Sequence, residues 1–153
     1  MRILSLLFLL AITSVVSLAQ KKPVKPVAQS KVIKLKTFLG KNENGAIVHL
    51  DEGLQLINFP LRVVDANNER VTVLSYNFMY KRKAMVENEE TGKKEIKFTT
   101  VGDIFKTTPL PQIWRDNLTE SLKKDEDLFF FDIIIKDKLG RRMFAPELKI
   151  KIQ

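Results

Sequence analysis

From residue 72 the chain alternates side chains with a period of two. Thr72, Leu74, Tyr76, Phe78 and Tyr80 fall on one side of an extended backbone, and Val73, Ser75, Asn77 and Met79 on the other. Such spacing suits a pleated strand, in which successive side chains point to opposite faces, and suits no helix. A polar break, Glu87-Asn88-Glu89-Glu90-Thr91-Gly92-Lys93, follows, and then Ile96 and Phe98 alternate with Glu95, Lys97 and Thr99. The pair reads as a hairpin with a charged loop.

The same period recurs on both sides. Ile47 to Leu50, Leu54 to Ile57 and Leu61 to Val64 are short strand candidates, punctuated by Asn44-Gly45, Asp51-Glu52-Gly53 and Asp65-Ala66-Asn67-Asn68. Val32, Ile33 and Leu35 offer a first strand. Leu128 to Asp137 is the most apolar run. Strict alternation groups Phe129, Phe131, Ile133 and Ile135 on one face and Leu128, Phe130, Asp132, Ile134 and Lys136 on the other, which predicts a central strand covered on both sides. Leu148, Ile150 and Ile152 close the chain as a last strand, with Pro146 expected at an edge or a strand start. One segment has helical spacing instead. Leu110, Ile113, Trp114, Leu118 and Leu122 form a stripe behind Thr108-Pro109, which predicts a helix over about 110–124 whose stripe, Trp114 included, is core. Six or seven short strands and one helix predict a mainly β fold, a β-sandwich with a helical crossover.

The N-terminus has a different grammar. Met1-Arg2 precedes an apolar run from Ile3, and Ser17-Leu18-Ala19 places small residues at a cleavage position. Residues 1–19 therefore read as a cleavable signal peptide, with a short transmembrane anchor as the alternative. Export implies a periplasmic or secreted protein, for which nucleic acid is not an expected partner. Residues 20–40 read as a basic flexible tail carrying Lys21, Lys22, Lys25, Lys31, Lys34 and Lys36, and residues 41–153 as a single domain. The formal charge of +8 is concentrated in front. Seven of the 26 basic residues and none of the 18 acidic ones precede Thr37, leaving 19 against 18 for the rest. The tail is either a solvated linker or a tether to peptidoglycan or anionic lipid.

The chain has no Cys and one His, which excludes disulfides, thiolate metal sites, Cys nucleophiles and multi-His metal centres. No phosphate-binding loop, dinucleotide fingerprint or nucleophile elbow is present, so no cofactor, metal or catalytic residue is expected and the reading is a non-enzyme. His49 reads as a partly exposed strand residue. Glu87, Glu89 and Glu90 read as a solvated loop tip, and Asp125-Glu126-Asp127 as polar punctuation between helix and strand. Asp132, set in an apolar strand, requires exposure or a partner, with Arg141 or Arg142 as cross-strand candidates. Asn117-Leu118-Thr119 matches a glycosylation sequon but lies in the expected helix. If the helix leaves one side of the central strand open, Leu128, Phe130 and Ile134 form a candidate face for a protein partner.

The second half of the chain has a further property. Leu122-Lys123-Lys124-Asp125-Glu126-Asp127-Leu128-Phe129-Phe130-Phe131-Asp132-Ile133, Lys136-Asp137-Lys138-Leu139-Gly140-Arg141-Arg142 and the ending Leu148-Lys149-Ile150-Lys151-Ile152 resemble the C-terminal periplasmic domain of GldM/PorM. The resemblance covers about residues 59–153. It implies an immunoglobulin-like β-sandwich and a non-catalytic interaction module of the Bacteroidota envelope, accessory to gliding motility or type 9 secretion, with another envelope protein as partner. The chain departs from that family in having a cleavable signal rather than an anchor, and one domain rather than a long shaft.

Overall fold

The computed structural model describes residues 34–153. Its elements, in order, are β1 (Lys36–Leu39), β2 (Ala46–Val48), α1 (Leu50–Leu56), β3 (Leu61–Val64), β4 (Arg70–Glu87), β5 (Lys94–Phe105), α2 (Gln112–Ser121), β6 (Asp127–Lys136), β7 (Arg142–Ala145) and β8 (Leu148–Ile152). The chain is mainly β. The strands form one curled, mixed, eight-stranded sheet with the path β1-β3-β4-β6-β8-β2, to which β5 adds on β4 and β7 on β6. Only β2 and β8 run parallel. The expected signal peptide, residues 1–19, and Lys21, Lys22, Lys25 and Lys31 lie outside the described residues.

The curl lets one sheet enclose one core. Leu39, Leu61 and Val63 from β1 and β3 join Tyr76, Phe78, Phe130, Ile133, Leu148 and Ile150 in a single buried cluster. At the rim the Thr37 hydroxyl of β1 donates to the Pro146 carbonyl at 2.6 Å, between β7 and β8. Pro146 divides what would otherwise be one strand: β8 pairs with the first half of β6 and β7 with the second. A proline cannot donate to a ladder, which places it at such a break.

Two irregularities shape the centre of the sheet. Between Phe131 and Ile134 strand β6 has one residue more than its partner, and between Val73 and Ser75 strand β4 has one more in return. The register regained beyond them is the one that preceded them, but the inward parity has changed on both strands. On β6, Leu128 and Phe130 point to the core before the bulge, and Ile133 and Ile135 after it. On β4, Val71 and Val73 pack against the core at one end, and Tyr76, Phe78 and Tyr80 at the other. The strict alternation expected for both strands therefore fails. Asp132 occupies the bulge with φ 47°, in the left-handed region that Asp tolerates better than most residues. It is exposed, and accepts a hydrogen bond from Asn77 Nδ2 at 2.8 Å. The expected Arg partners lie elsewhere: Arg141 pairs with Asp137 at 2.7 Å, and Arg142 is at the register of Lys136.

Two helices are present rather than one. The segment Leu54 to Ile57, expected as a strand, is the end of α1 and its C-cap. Leu50, Gly53, Leu54 and Ile57 stand three or four residues apart, and Asp51 and Glu52 fall in the first turn, where the helix dipole favours acids. A four-residue apolar run does not by itself separate the two periods. The sheet also begins at Lys36, inside the segment expected to be tail. Helix α2 is shorter than the expected 110–124: Leu110 and Leu122 are buried just outside it, Leu118 is buried within it, and Ile113 is 65% exposed. Trp114 meets Phe78 edge-on at 5.6 Å and Phe105 at 5.6 Å, so α2 covers the core face of β4 and β5.

Candidate functional site

Among the described residues a broad concavity lies where α1, β3 and the start of β4 diverge. It is a groove of about 840 Å³. Its apolar lining comes from Leu56, Phe59, Pro60, Leu61, Val71 and Val73, and its polar lining from Lys41, Glu52, Arg62, Arg70 and Thr108. Local structure explains each placement. Gly40 turns the chain after β1 with φ +60°, a conformation that favours glycine, and a Cβ there would stand 2.8 Å from Leu56 Cδ2 and displace that side chain. Helix α1 ends at Leu56, and the following turn presents Phe59, which is 49% exposed. The Thr108 hydroxyl accepts the Leu61 amide proton at 2.6 Å and ties the segment leading to α2 against β3.

The charges are unequal. Glu52, the acid in the lining, is already engaged: it accepts from Asn42 Nδ2 at 3.1 Å and pairs with Lys41 at 3.4 Å. The Asn42 hydrogen bond, assisted by the Lys41 charge, holds its carboxyl below the ordinary value. Arg62 and Arg70 have no carboxylate within ion-pair distance among the described residues. Arg62 lies over the Phe38 ring at 5.1 Å and donates through one terminal nitrogen to Gly40 O at 3.4 Å, while its Nε is buried with no protein acceptor. Arg70 is opposite Val64, two residues along β3 from Arg62, so the two side chains start from the diagonal cross-strand position, about 7–8 Å apart at the backbone. Apolar walls with two guanidiniums that lack a carboxylate partner among the described residues suit a ligand that is part hydrocarbon and part carboxylate, because a guanidinium binds a carboxylate bidentately.

The residues proposed from sequence do not converge on this groove. Leu128 and Phe130 are 0% and 2% exposed, inside the core, while Ile134 lies half-buried beyond the bulge on the opposite face. The bulge at Asp132 thus dissolves the candidate partner face. Lys34 is exposed just before β1, and Lys36 on β1 pairs with Glu43 at 3.3 Å. His49 is exposed at the start of α1 and makes no side-chain capping bond. Glu126, taken for punctuation, is instead 1% exposed and tightly held. It accepts the amide protons of Lys83 and Lys123, each at 2.7 Å, and the Tyr80 hydroxyl proton. With both oxygens engaged by structural donors, it fastens the α2–β6 connection to β4. Among the described residues no cluster of three or more His, Asp or Glu forms a metal-binding group, and no helix is long and apolar enough to cross a membrane.

Sequence reasoning missed Phe59, Arg62 and Arg70. The one local signal was an arginine inside the apolar strand Leu61-Arg62-Val63-Val64 beside an aromatic-proline pair. No family model matches this chain, and no curated protein or solved structure matches it.

Proposed function

We propose that this chain is an exported, non-enzymatic protein-protein interaction module of the bacterial cell envelope. It receives, in the groove between α1 and β3, an amphipathic segment of another envelope protein that carries a carboxylate. The observation that carries this reading is the groove itself, apolar along Leu56, Phe59, Pro60 and Val71 and lined by Arg62 and Arg70, which form no ion pair among the described residues, while Glu52 is paired with Lys41. Partner surfaces of this kind anchor an apolar side chain in the concavity and fix its register through a charged pair.

In this reading the module is immunoglobulin-like. Support comes from the single core enclosed by β1 and β3 on one side and β6 and β8 on the other, and from the resemblance of residues 59–153 to the GldM/PorM C-terminal domain. That resemblance also supports an accessory role in gliding motility or type 9 secretion. A photo-crosslinking residue at Phe59, introduced into the protein in its native envelope, tests the reading. One envelope protein should crosslink, and Arg62→Glu with Arg70→Glu should abolish the product. Diffuse crosslinking, or a product indifferent to the charge reversals, would sink the proposal.

A second reading is contact with peptidoglycan or anionic lipid through the basic tail. It is favoured by the segregation of charge, with six lysines and no acidic residue between Gln20 and Thr37. Deleting residues 20–33 stops short of β1 and should remove salt-sensitive sedimentation with peptidoglycan or anionic vesicles. Sedimentation that survives the deletion eliminates this second reading.

A further inference from the structure

Strand β5 is a long, open edge. It pairs with β4 from Tyr76↔Phe105 to Glu87↔Lys94, and no other strand pairs with it among the described residues. Every residue from Lys94 to Ile104 is exposed, including Ile96 at 57%, Phe98 at 48% and Ile104 at 66%. No proline interrupts it. An edge of this length presents a row of free backbone donors and acceptors and is a template for another strand.

The edge is complementary to itself in one register. Two antiparallel copies related by a two-fold axis perpendicular to the sheet must be centred on a residue, because directly opposite residues share a face. Centred on Thr100, the pairing sets Thr99 opposite Val101, Phe98 opposite Gly102, Lys97 opposite Asp103 and Ile96 opposite Ile104. Two Lys–Asp pairs, two Ile–Ile pairs and two aromatic–glycine pairs result. A step to Thr99 instead places Glu95 opposite Asp103, and a step to Val101 places Thr99 opposite Asp103 and leaves Lys97 without its acid, so the neighbouring registers lose the charge match.

A second observation falls at the same residue. The β5 backbone approaches β4 so closely at Gly102 that a Cβ would lie 2.3 Å from the Phe78 carbonyl oxygen. Beside it is a shallow hollow of about 180 Å³ between Met79, Ile104 and Phe131. A Phe ring from the strand opposite covers such a glycine, a recurrent way of stabilising glycine in a sheet.

We propose that β5 pairs with β5 of a second copy of this chain, antiparallel and centred on Thr100, with Phe98 of each copy seated over Gly102 of the other. The surface is distinct from the groove, and the proposal stands or falls independently of it. Lys97 and Asp103 make the association salt-sensitive and set its register.

The test is sedimentation equilibrium of the full chain in the micromolar range, with circular dichroism to confirm that each variant folds. The wild type should dimerise. Lys97→Glu alone and Asp103→Lys alone should each weaken association by about ten-fold or more, since each faces like charge with like, and the two together should restore it. A wild type that stays monomeric, whether the edge is free or taken by a different protein, overturns the proposal. So does a double variant no tighter than the singles. Thr100→Cys adds a geometric readout in a chain without cysteine. Cα atoms opposite each other at the axis lie within disulfide reach, so this variant should oxidise to a covalent dimer. Lys94→Cys should not, because the two copies of that residue would be about 40 Å apart. Equal crosslinking by both variants also overturns the register.

Discussion

The Tyr80 hydroxyl donates to the carboxylate of Glu126, and both groups are buried. The bond joins β4 to the connection between α2 and β6 across a sequence separation of 46 residues. The carboxylate takes two amide protons besides, so the helix end, the strand start and the middle of β4 share one acceptor group. The phenol is also within 3.1 Å of the Ser121 carbonyl. Removing one donor and removing the acceptor should therefore have unequal consequences. Tyr80→Phe should cost about 1–2 kcal/mol, while Glu126→Ala strands two amides and leaves the phenol only the Ser121 carbonyl, and should cost more than about 3 kcal/mol. Urea unfolding monitored by circular dichroism measures both. Equal losses would mean that the carboxylate acts through Tyr80 alone.

The tyrosines make a pH prediction. Tyr76 and Tyr80 are the only two in the chain, and both are buried. Burial pushes the Tyr76 phenol up to about 12, and burial, reinforced by the Glu126 carboxylate, pushes Tyr80 up as well. An unfolded tyrosine ionises near 10, so above that pH the unfolded chain releases protons that the native one retains. The stabilisation from the protonated phenols is complete below pH ~10 and is lost as the pH rises towards 12. Tyrosinate absorbance should therefore stay flat through pH ~10 and then rise together with the loss of folded structure. A non-cooperative rise near pH ~10, with the fold intact, would show that the phenols are accessible.

Asp132 marks the limit of what alternation reveals. Strand β3, the hairpin of β4 with β5, the helix stripe from Leu110 to Leu122 and the closing strand were legible because each is a short, regular pattern with polar punctuation. The paired bulges were not. An inserted residue leaves Leu128, Phe130, Ile133 and Ile135 all inward, whereas a period of two assigns them to different faces. Nothing local separates a bulged Asp from an outward-facing one. The groove was illegible for another reason, since it is assembled from four separate segments meeting beside α1, itself too short to declare its period.

The bulge carries its own prediction. Asp132→Ala keeps the left-handed backbone but loses the Asn77 bond and the conformational tolerance of Asp, and should cost about 1–2 kcal/mol. Asp132→Gly loses only the bond and should cost less. Thermal unfolding of the pair tests this. If glycine proves the worse of the two, the positive φ is not what Asp132 supplies.

Gly102 should tolerate no side chain for a reason unrelated to self-association. Alanine there would press its Cβ against the Phe78 carbonyl oxygen, part of the backbone of β4 and not free to rotate away. Relief requires β5 to move off β4, and a cost of about 2–3 kcal/mol is expected. Hydrogen exchange should show those amides between Thr100 and Ile104 that donate to β4 losing protection first. Full protection in a folded Gly102→Ala protein would mean the strands re-pair at no cost.

Arg62 separates stability from recognition. Its buried Nε has no protein acceptor, a cost of about 1–3 kcal/mol for an unsatisfied donor, offset in part by its place over Phe38, worth about 0.5–1 kcal/mol. Arg62→Met keeps most of the volume and removes both terms, so stability should change by no more than about 1 kcal/mol in either direction. Binding should respond differently. The affinity for an amphipathic peptide bearing a carboxylate, followed by fluorescence anisotropy, should fall about ten-fold or more in Arg62→Met, and Arg62→Lys should not restore it, because a point charge lacks the planar fork that grips a carboxylate. Phe59→Ala, which alters an exposed wall of the same groove, should weaken the peptide with little effect on unfolding. A methionine variant destabilised by more than about 2 kcal/mol would make Arg62 a structural residue and take from the groove its strongest claim to a ligand.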